Sequence, residues 1–177
     1  RSTHRYDAHS FGEVDPLLGG DAALAELAAQ VHARGMRLMG DLTLNHCGDG
    51  HDWFLRAQEP GAFERDYFTF DPSLDHGYEA WWNVPSLPKF NYRSTGLRES
   101  LISGEDSVVR HWLRPPYDMD GWRIDVANMS GRQGELDVTH EVARLTRIAM
   151  MKENPNTLLI AEHVHDASVD LVNGAWH

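Results

Sequence analysis

The stretch DGWRIDVAN at residues 120–128 places a permanent cation, Arg123, two positions before a carboxylate, Asp125. The apolar residues that alternate with them predict a strand with a buried face. Residues i and i+2 of a strand share a face, so the two charged side chains are expected to pair. A neighbouring guanidinium favours the ionised carboxylate and lowers its pKa, which predicts that Asp125 is an anion at neutral pH.

A second carboxylate, Glu162, lies near the end of the apolar stretch TLLIAEH at residues 157–163. If this stretch is the strand beside 120–128, the two backbones lie ~4.8 Å apart. Carboxyl groups on adjacent strand ends could then approach to ~5–5.5 Å, the separation found in retaining glycosidases. Glu162 has no arginine two residues away and follows Ile160 in an apolar run, which predicts apolar surroundings and a carboxyl group that stays protonated as an acid. One charged and one neutral carboxyl group is the pair that glycoside hydrolysis through a covalent intermediate requires.

A third apolar stretch, MRLMGDLTLNH at residues 36–46, carries Asp41 and ends at His46. The carboxyl ends of parallel strands meet at one edge of a sheet, where α/β proteins bind their ligands. Plainer interpretations stay open at each position. The arginine–aspartate pair can be purely structural, Asp41 can organise a loop, and His46 can satisfy a local hydrogen bond. The convergence of polar residues on three strand ends supports a catalytic site about as well as these plainer interpretations.

Helices are predicted between the strands from the spacing of apolar residues. The first covers 21–35, with Asp21 as its N-cap. A second covers 137–153, with Asp137 as its cap, and a shorter one lies near 105–114. Strands that alternate with helices and are apolar along most of their length indicate a parallel sheet covered by helices.

Residues 47–103, which we call the excursion, separate the first predicted strand from the helix that leads to the second. A structureless loop of that length is improbable in a compact domain, so the excursion is expected to form a small unit of its own. It is rich in aromatic residues and proline. The chain is therefore divided into a first sheet segment at 1–46, the excursion, and a second sheet segment at 104–177.

Composition excludes several classes of protein. The formal net charge of −11 argues against nucleic acids and anionic membrane surfaces as partners. No apolar run approaches the ~18–20 residues that cross a membrane, and nothing at the start of the sequence resembles a signal peptide. Cys47 is the only cysteine, which excludes a disulfide framework and a cysteine-based zinc site. The sequence therefore predicts a cytoplasmic protein with no nucleic-acid partner and no membrane association.

Several of these stretches also resemble a known family. DLTLNH (41–46), GWRIDVAN (121–128) and AEHVHDA (161–167) are similar, in order and spacing, to three conserved motifs of the α-amylase family of glycoside hydrolases. LPKFN (87–91) resembles a further motif that marks the neopullulanase, cyclomaltodextrinase and maltodextrin glucosidase group, and the sequence just before the second strand is most similar to the maltodextrin glucosidases. The resemblance implies a fold of the α/β class, a partial (β/α)₈ TIM barrel with an inserted domain B at residues 47–103.

The resemblance also implies roles for the catalytic residues. Asp125 matches the nucleophile that forms the glycosyl–enzyme intermediate, and Glu162 matches the general acid/base. Arg123 matches the arginine that orients the nucleophile and keeps it ionised.

Three further residues are implied on the substrate side of the site. His46 resembles the histidine that hydrogen-bonds the sugar before the cleaved bond, and Tyr6 resembles the tyrosine that stacks under that sugar. Asp41 resembles a structural carboxylate behind the site. Trp81 and Trp82 of the excursion could be sugar platforms, although packing within the excursion explains them equally well.

The resemblance further implies that the chain covers about half a barrel of a longer parent enzyme. The family's later His–Asp motif, which carries a third essential carboxylate, is not in this sequence. We expect such a fragment to be inactive alone and to self-associate, because a half barrel exposes an unpaired strand edge and an apolar interior.

The predicted function of the parent is hydrolysis of α-1,4-glucosidic bonds in maltodextrins by double displacement, with an oligosaccharide as the partner. The alternatives are a neopullulanase or cyclomaltodextrinase, a transglycosylase of the same family, and a non-catalytic carbohydrate-binding relative. No cofactor and no metal are expected. Calcium binds between domains A and B in some relatives, and Asn45 could contribute to such a site, but the group resembled here often lacks it.

Overall fold

The computed structural model describes residues 2–162 and the backbone of residues 174–176; the remainder of the AEHVHDA motif and of the second sheet segment lies outside these residues. The described strands are β1 (Met39–Thr43), β2 (Gly121–Asp125), β3 (Arg132–Gln133), β4 (Leu136–Asp137), β5 (Leu158–Glu162) and β6 (Gly174–Trp176). Four of them form a parallel sheet in the order β1-β2-β5-β6, and β3 and β4 form a small antiparallel hairpin. The predicted parallel sheet is therefore confirmed.

The helices are α1 (Gly20–His32), α2 (Asp52–Ala57), α3 (Thr95–Arg98), α4 (Val108–His111) and α5 (Thr139–Glu153). A π-helical turn at Glu99–Ser103 continues α3, and 3₁₀ turns lie at Pro16–Leu18, Phe63–Tyr67, Trp81–Asn83 and Ala127–Met129. The long helices α1 and α5 are the two that the apolar spacing predicts, whereas the helix predicted near 105–114 is a single turn.

The predicted helix caps are wrong in detail. The residue that caps α1 is Gly19, whose φ of 99° is left-handed, and the Asp21 carboxylate instead accepts the N–H of Val14 at 2.7 Å. Asp137 lies in β4 rather than at the cap position, although its carboxylate accepts the N–H and O–H of Thr139. Asp21 therefore accepts from a backbone donor outside its helix, whereas Asp137 accepts from the first residue of α5 although it lies one position before the cap.

One face of the sheet packs on α5. Leu44, Ile124 and Leu159 surround a small gap of about 20 Å³ together with Val142 of α5, and all four residues are buried. Side chains alternate along a strand, so the residues between these apolar positions point to the opposite face. That alternation places the charged residues of the strands together on the face away from α5.

The pairing of β2 with β5 sets the relative position of the two candidate acids. Ile124 is opposite Ala161 in this register, so Asp125 and Glu162 are the next residues along two adjacent strands. The strands approach closely at their start, where a Cβ on Gly121 would lie 2.1 Å from the carbonyl oxygen of Leu158. Glycine is required there because any side chain would push β2 away from β5.

The excursion is held together by an aromatic core. Phe54, Phe68 and Phe90 are buried, with ring centroids 5.0 Å apart in the first pair and 5.5 Å in the second. The last part of the excursion is joined to α5 by an ion pair between Arg98 Nη1 and Glu141 Oε1 at 2.7 Å. This packing fixes the excursion beside the carboxyl ends of the strands.

Within the described part of the chain, β1 pairs with β2 and with no other strand. Its second edge is therefore not paired with another strand among these residues, and the self-association expected of a half barrel stays a prediction. Among the same residues, the helices are all too short or too polar to cross a membrane.

Candidate active site

Arg123 is the centre of the charged cluster on the open face of the sheet. Its Nη1 donates to Asp125 Oδ1 at 2.8 Å and to Asp41 Oδ1 at 2.8 Å, and its Nη2 lies 3.1 Å from Glu162 Oε2. The Arg123 and Asp125 side chains are each only 10% exposed, compared with 45% for Asp41 and 32% for Glu162. The predicted pairing of Arg123 with Asp125 is present, but one guanidinium contacts three carboxylates.

Tyr6 joins this cluster from the start of the chain. Its hydroxyl donates to Asp41 Oδ2 at 3.1 Å and accepts from Arg123 Nη1 at 3.2 Å. The guanidinium carbon lies 5.8 Å from the centre of the ring. The ring is thus anchored by its hydroxyl beside the carboxylates, a suitable position for stacking under a sugar.

The predicted lowering of the pKa of Asp125 is wrong. Burial of the carboxyl group is the largest influence and raises its pKa to about 6, against the opposing effect of Arg123. The negative charges of Glu162 and Asp41 raise it further. The sequence argument considered only one carboxylate beside Arg123, whereas in the folded chain three carboxylates contact its guanidinium.

The surroundings predicted for Glu162 are also wrong. Its Oε2 contacts the Arg123 guanidinium and accepts the N–H of Val126 at 2.8 Å. The sequence argument considered only arginines two residues away from Glu162, whereas the arginine that contacts it, Arg123, lies on the adjacent strand. Glu162 therefore shares a cation with Asp125 rather than lying in an apolar pocket.

Val126 is a part of the site that sequence reasoning missed. It follows β2 directly and has φ 39° and ψ 47°, a left-handed conformation that is strained for a β-branched residue. This turn directs its N–H to the Glu162 carboxylate. The hydrogen bond from this N–H orients Glu162, and the sequence contains no signal for the turn, since valine is an ordinary strand residue.

His46 is buried at the edge of the same face, and burial lowers its pKa to about 4, so the ring is neutral at physiological pH. Its Nδ1 lies 3.1 Å from the side-chain nitrogen of Asn45, whose side-chain oxygen accepts from Lys89 Nζ. An ammonium only donates, so it fixes the Asn45 amide with its nitrogen toward His46. His46 Nδ1 therefore accepts, and the ring proton is on Nε2.

Lys89 is thus a second residue that the sequence argument missed, although it lies in the LPKFN stretch. Its ammonium is buried and also donates to the carbonyl of Met129 at 3.1 Å. Calcium requires oxygen ligands, and the Asn45 oxygen that could have served already accepts from this ammonium. Asn45 therefore does not fit as a calcium ligand, and within the described residues no group of three or more acidic, histidine or cysteine side chains could hold a metal.

Lys89→Met is expected to change how stability depends on pH. Burial lowers the pKa of Lys89 from 10.5 to about 8, so between pH 8 and pH 10.5 the unfolded chain binds a proton that the folded chain does not. Stability contributed by Lys89 therefore rises with pH in this interval. Relative to Lys89→Met, the wild type should gain about 1–3 kcal/mol in free energy of unfolding from pH 7.5 to pH 10. Urea unfolding at both values measures the change.

The exposed Lys152 provides the matched control, because Lys152→Met removes a solvated ammonium. Its difference from wild type should be the same at both pH values. If the difference in free energy of unfolding between wild type and Lys89→Met were also the same at both pH values, the lowered pKa of the buried Lys89 would be contradicted.

The structure brings the six predicted site residues to one edge of the sheet, with Asp125 and Glu162 on neighbouring strands and His46 and Tyr6 beside them. Two carboxyl groups at adjacent strand ends can act as nucleophile and acid/base on opposite sides of a glycosidic bond that is cleaved between them. A parallel sheet with charged side chains at the carboxyl ends of its strands, flanked by an inserted segment, is the arrangement of a barrel-type enzyme.

Comparison with known proteins identifies the family of this chain. The sequence matches the family described as Alpha amylase, catalytic domain, over residues 1–172. A cyclomaltodextrinase from Geobacillus thermopakistaniensis is 31% identical over 173 residues, which cover 94% of this chain and 27% of that enzyme. An intracellular maltogenic amylase from Bacillus subtilis is 29% identical over 180 residues, which cover 99% of this chain and 28% of that enzyme. The chain belongs to the α-amylase catalytic-domain family.

The fold is confirmed by a solved relative. The cyclic α-maltosyl-(1→6)-maltose hydrolase from Arthrobacter globiformis matches with a TM-score of 0.81 and 27% identity, covering 98% of this chain and 39% of that chain. The described sheet and helices are therefore part of a (β/α)₈ barrel, as predicted. The chain spans less than half of each of these three relatives.

Proposed function

We propose that this chain is the central part of the catalytic domain of a retaining α-glucoside hydrolase that acts on maltodextrins. The observation that carries the proposal is the placement of Asp125 and Glu162 at adjacent positions of β2 and β5, both in contact with Arg123. Residues 47–103 would form the inserted domain B, which borders the cleft. The relatives named as cyclomaltodextrinase and maltogenic amylase support the substrate class.

The proposed reaction is a double displacement. A carboxylate oxygen of Asp125 attacks the anomeric carbon while Glu162 gives its proton to the departing glycosidic oxygen. Glu162 then takes a proton from water, whose oxygen attacks the same carbon and releases Asp125. When Asp125 becomes an uncharged ester, Arg123 has one fewer carboxylate to compensate and interacts more strongly with Glu162.

His46 and Tyr6 would bind the sugar on which the reaction occurs, with the His46 Nε2 proton donated to a sugar oxygen and the Tyr6 ring under its apolar face. Asp41 holds Arg123 and the Tyr6 hydroxyl in place. The proposal needs no cofactor and no metal. The name of the intracellular Bacillus subtilis relative supports a cytoplasmic location for the parent protein.

Labelling of the full-length parent with 5-fluoro-α-glucosyl fluoride tests the mechanism, because a working nucleophile forms a long-lived ester with this reagent. We expect mass spectrometry of the digested protein to place the label on Asp125. Glu59→Gln, a change at an exposed carboxylate of the excursion, should label normally. A label on another residue would disprove the assignment, and absence of both labelling and turnover would favour the non-catalytic alternative.

Product analysis on maltotriose, cyclodextrin and pullulan separates the hydrolytic alternatives. The proposal expects glucose and maltose from maltotriose, with cyclodextrin and pullulan cleaved more slowly. Faster cleavage of cyclodextrin or pullulan would instead identify a cyclomaltodextrinase or neopullulanase, and products longer than the substrate would identify a transglycosylase.

A further inference from the structure

Trp82 presents its indole to solvent at the tip of the excursion. With 80% of its surface exposed, Trp82 is the most exposed large apolar residue among the described residues. Its ring stacks on that of Trp81, with centroids 5.0 Å apart and planes 17° from parallel. A single exposed apolar residue is common on protein surfaces, so exposure by itself implies no role.

The backbone at this tip is strained in a way that fixes the exposed ring. Trp82 has φ 52° and ψ 28°, and Asn83 follows with φ 57°. Two successive left-handed residues other than glycine cost about 1–3 kcal/mol each unless surrounding contacts hold them. Such contacts are present: Asn83 Nδ2 donates to Asp75 Oδ2 at 2.7 Å, and the Asn83 carbonyl lies 3.0 Å from His76 Nε2. The indole is therefore preorganised for a ligand, since little freedom is left to lose on binding.

A cavity of about 460 Å³ opens beside the two indoles, within the size range of ligand pockets. Besides Trp81 and Trp82 it is lined by Asn83, Lys89, Arg132 and Gln133. An exposed indole beside a cavity is well suited to a sugar, which offers C–H groups on its faces.

The stack also connects this cavity to the candidate active site. The His46 ring lies 6.4 Å from Trp81 and only 9° from parallel with it, and Lys89 Nζ lies 5.3 Å from the same indole. In the proposed function His46 contacts the reacting sugar, and Trp81 and then Trp82 are stacked beyond the His46 ring. A chain of glucose units leaving the site past His46 would meet the exposed indole next.

We propose that Trp82, supported by Trp81, is a stacking platform for a glucosyl unit of an α-glucan chain beyond the units joined by the cleaved bond. This inference rests on the proposed function and extends it, because it assigns the parent enzyme a preference for longer chains. Trp82 contacts the apolar face of the sugar.

Chain-length dependence of KM in the full-length parent tests the platform. Relative to wild type, Trp82→Ala should raise KM for maltohexaose and maltoheptaose by roughly fivefold or more, because loss of one aromatic contact removes about 1 kcal/mol. KM for maltose and kcat for all chains should stay within about twofold of wild type. Trp82→Phe retains a flat ring and should recover most of the affinity. Phe63→Ala is the matched control, because Phe63 is another exposed aromatic residue of the excursion and lies outside the cavity.

Binding without turnover separates failure of the platform from failure of the proposed function. Calorimetric titration of maltoheptaose into a Glu162→Gln protein, with and without Trp82→Ala, should show weaker binding only in the double variant. Equal affinities, or a KM increase that is the same for maltose and maltoheptaose, would overturn the platform while leaving hydrolysis by Asp125 and Glu162 unaffected. A lower melting temperature of Trp82→Ala with no length dependence would show a packing role instead and would equally overturn it.

Discussion

Asp125→Asn in the full-length parent is expected to lower kcat on maltotriose by at least about 10³-fold, and Glu162→Gln by about 10²–10⁴-fold. Each change replaces a carboxylate oxygen by an amide nitrogen of nearly equal size, so the fold should persist. The amide that replaces the Asp125 carboxylate is a far weaker nucleophile. The amide that replaces the Glu162 carboxyl group cannot donate and retrieve a proton at neutral pH. Initial-rate kinetics measure both losses.

Substrates with a reactive leaving group distinguish the two roles. Fluoride departs from α-glucosyl fluoride without a proton donor, so Glu162→Gln should still form the intermediate and show a burst of fluoride. Asp125→Asn should show no burst, because its defect lies in the attack itself. Near-normal turnover of maltotriose by either variant would remove the corresponding assignment, and Glu59→Gln should behave as wild type throughout.

Arg123→Met is expected to have the largest combined effect on stability and activity. The guanidinium contacts Asp41, Asp125 and Glu162, and its side chain is nearly buried. Burial alone would lower the pKa of Arg123, but its hydrogen bonds to Asp41 and Asp125 raise it, so the group is charged at any working pH. Removing the cation leaves uncompensated carboxylates in a partly buried cluster. Breaking a buried ion pair in this way lowers the free energy of unfolding by about 3–5 kcal/mol.

The pH dependence of the Arg123 variant follows from the pKa of Asp125. In the wild type this pKa is about 6, so kcat/KM should fall as the pH drops through 6 and the nucleophile becomes protonated. Arg123 lowers the pKa of Asp125, so Arg123→Met should move that acid limb to higher pH. The loss of stability should also be smaller at pH 5 than at pH 7.5, because protonated Asp125 no longer needs a cation.

Two further variants make the Arg123 result specific. Arg123→Lys retains the charge but cannot place two nitrogens toward different carboxylates at once, so its acid limb should lie between those of wild type and Arg123→Met. Arg93→Met removes an exposed guanidinium and should change neither melting temperature nor pH profile. An acid limb that stays near pH 6 in Arg123→Met would contradict the electrostatic role of Arg123.

Burial is the main reason why the pKa of Asp125 is higher than the nearby Arg123 suggests, and the other carboxylates that share this cation raise it further. Sequence spacing counts only residues two positions away on the same strand. The register of β1, β2 and β5 brings two more carboxylates to the same guanidinium, and their charges oppose ionisation of Asp125. A pKa near 6 still leaves Asp125 mostly ionised at pH 7, so the nucleophilic role is compatible with the corrected value.

The sequence by itself determined the parallel sheet, its two long helices and the group of charged residues that lies at the strand ends. Apolar runs of strand length, separated by helical periodicity, admit few other arrangements, and the carboxyl ends of parallel strands meet at one edge. Asp125, Glu162, Arg123 and their neighbours were therefore predictable as a group. Local pattern is sufficient for this because side-chain alternation and helical spacing are properties of the backbone.

Only the tertiary structure decided which charged groups contact one another and which nitrogen of His46 carries the proton. The Arg123–Glu162 contact and the Val126 N–H depend on strand register and on a strained turn, and neither is written in any local pattern. The tautomer of His46 depends on Lys89, which is distant in sequence and reaches it through Asn45. Electrostatic interactions act through space and burial changes their strength, so they follow from the packed fold rather than from the order of residues.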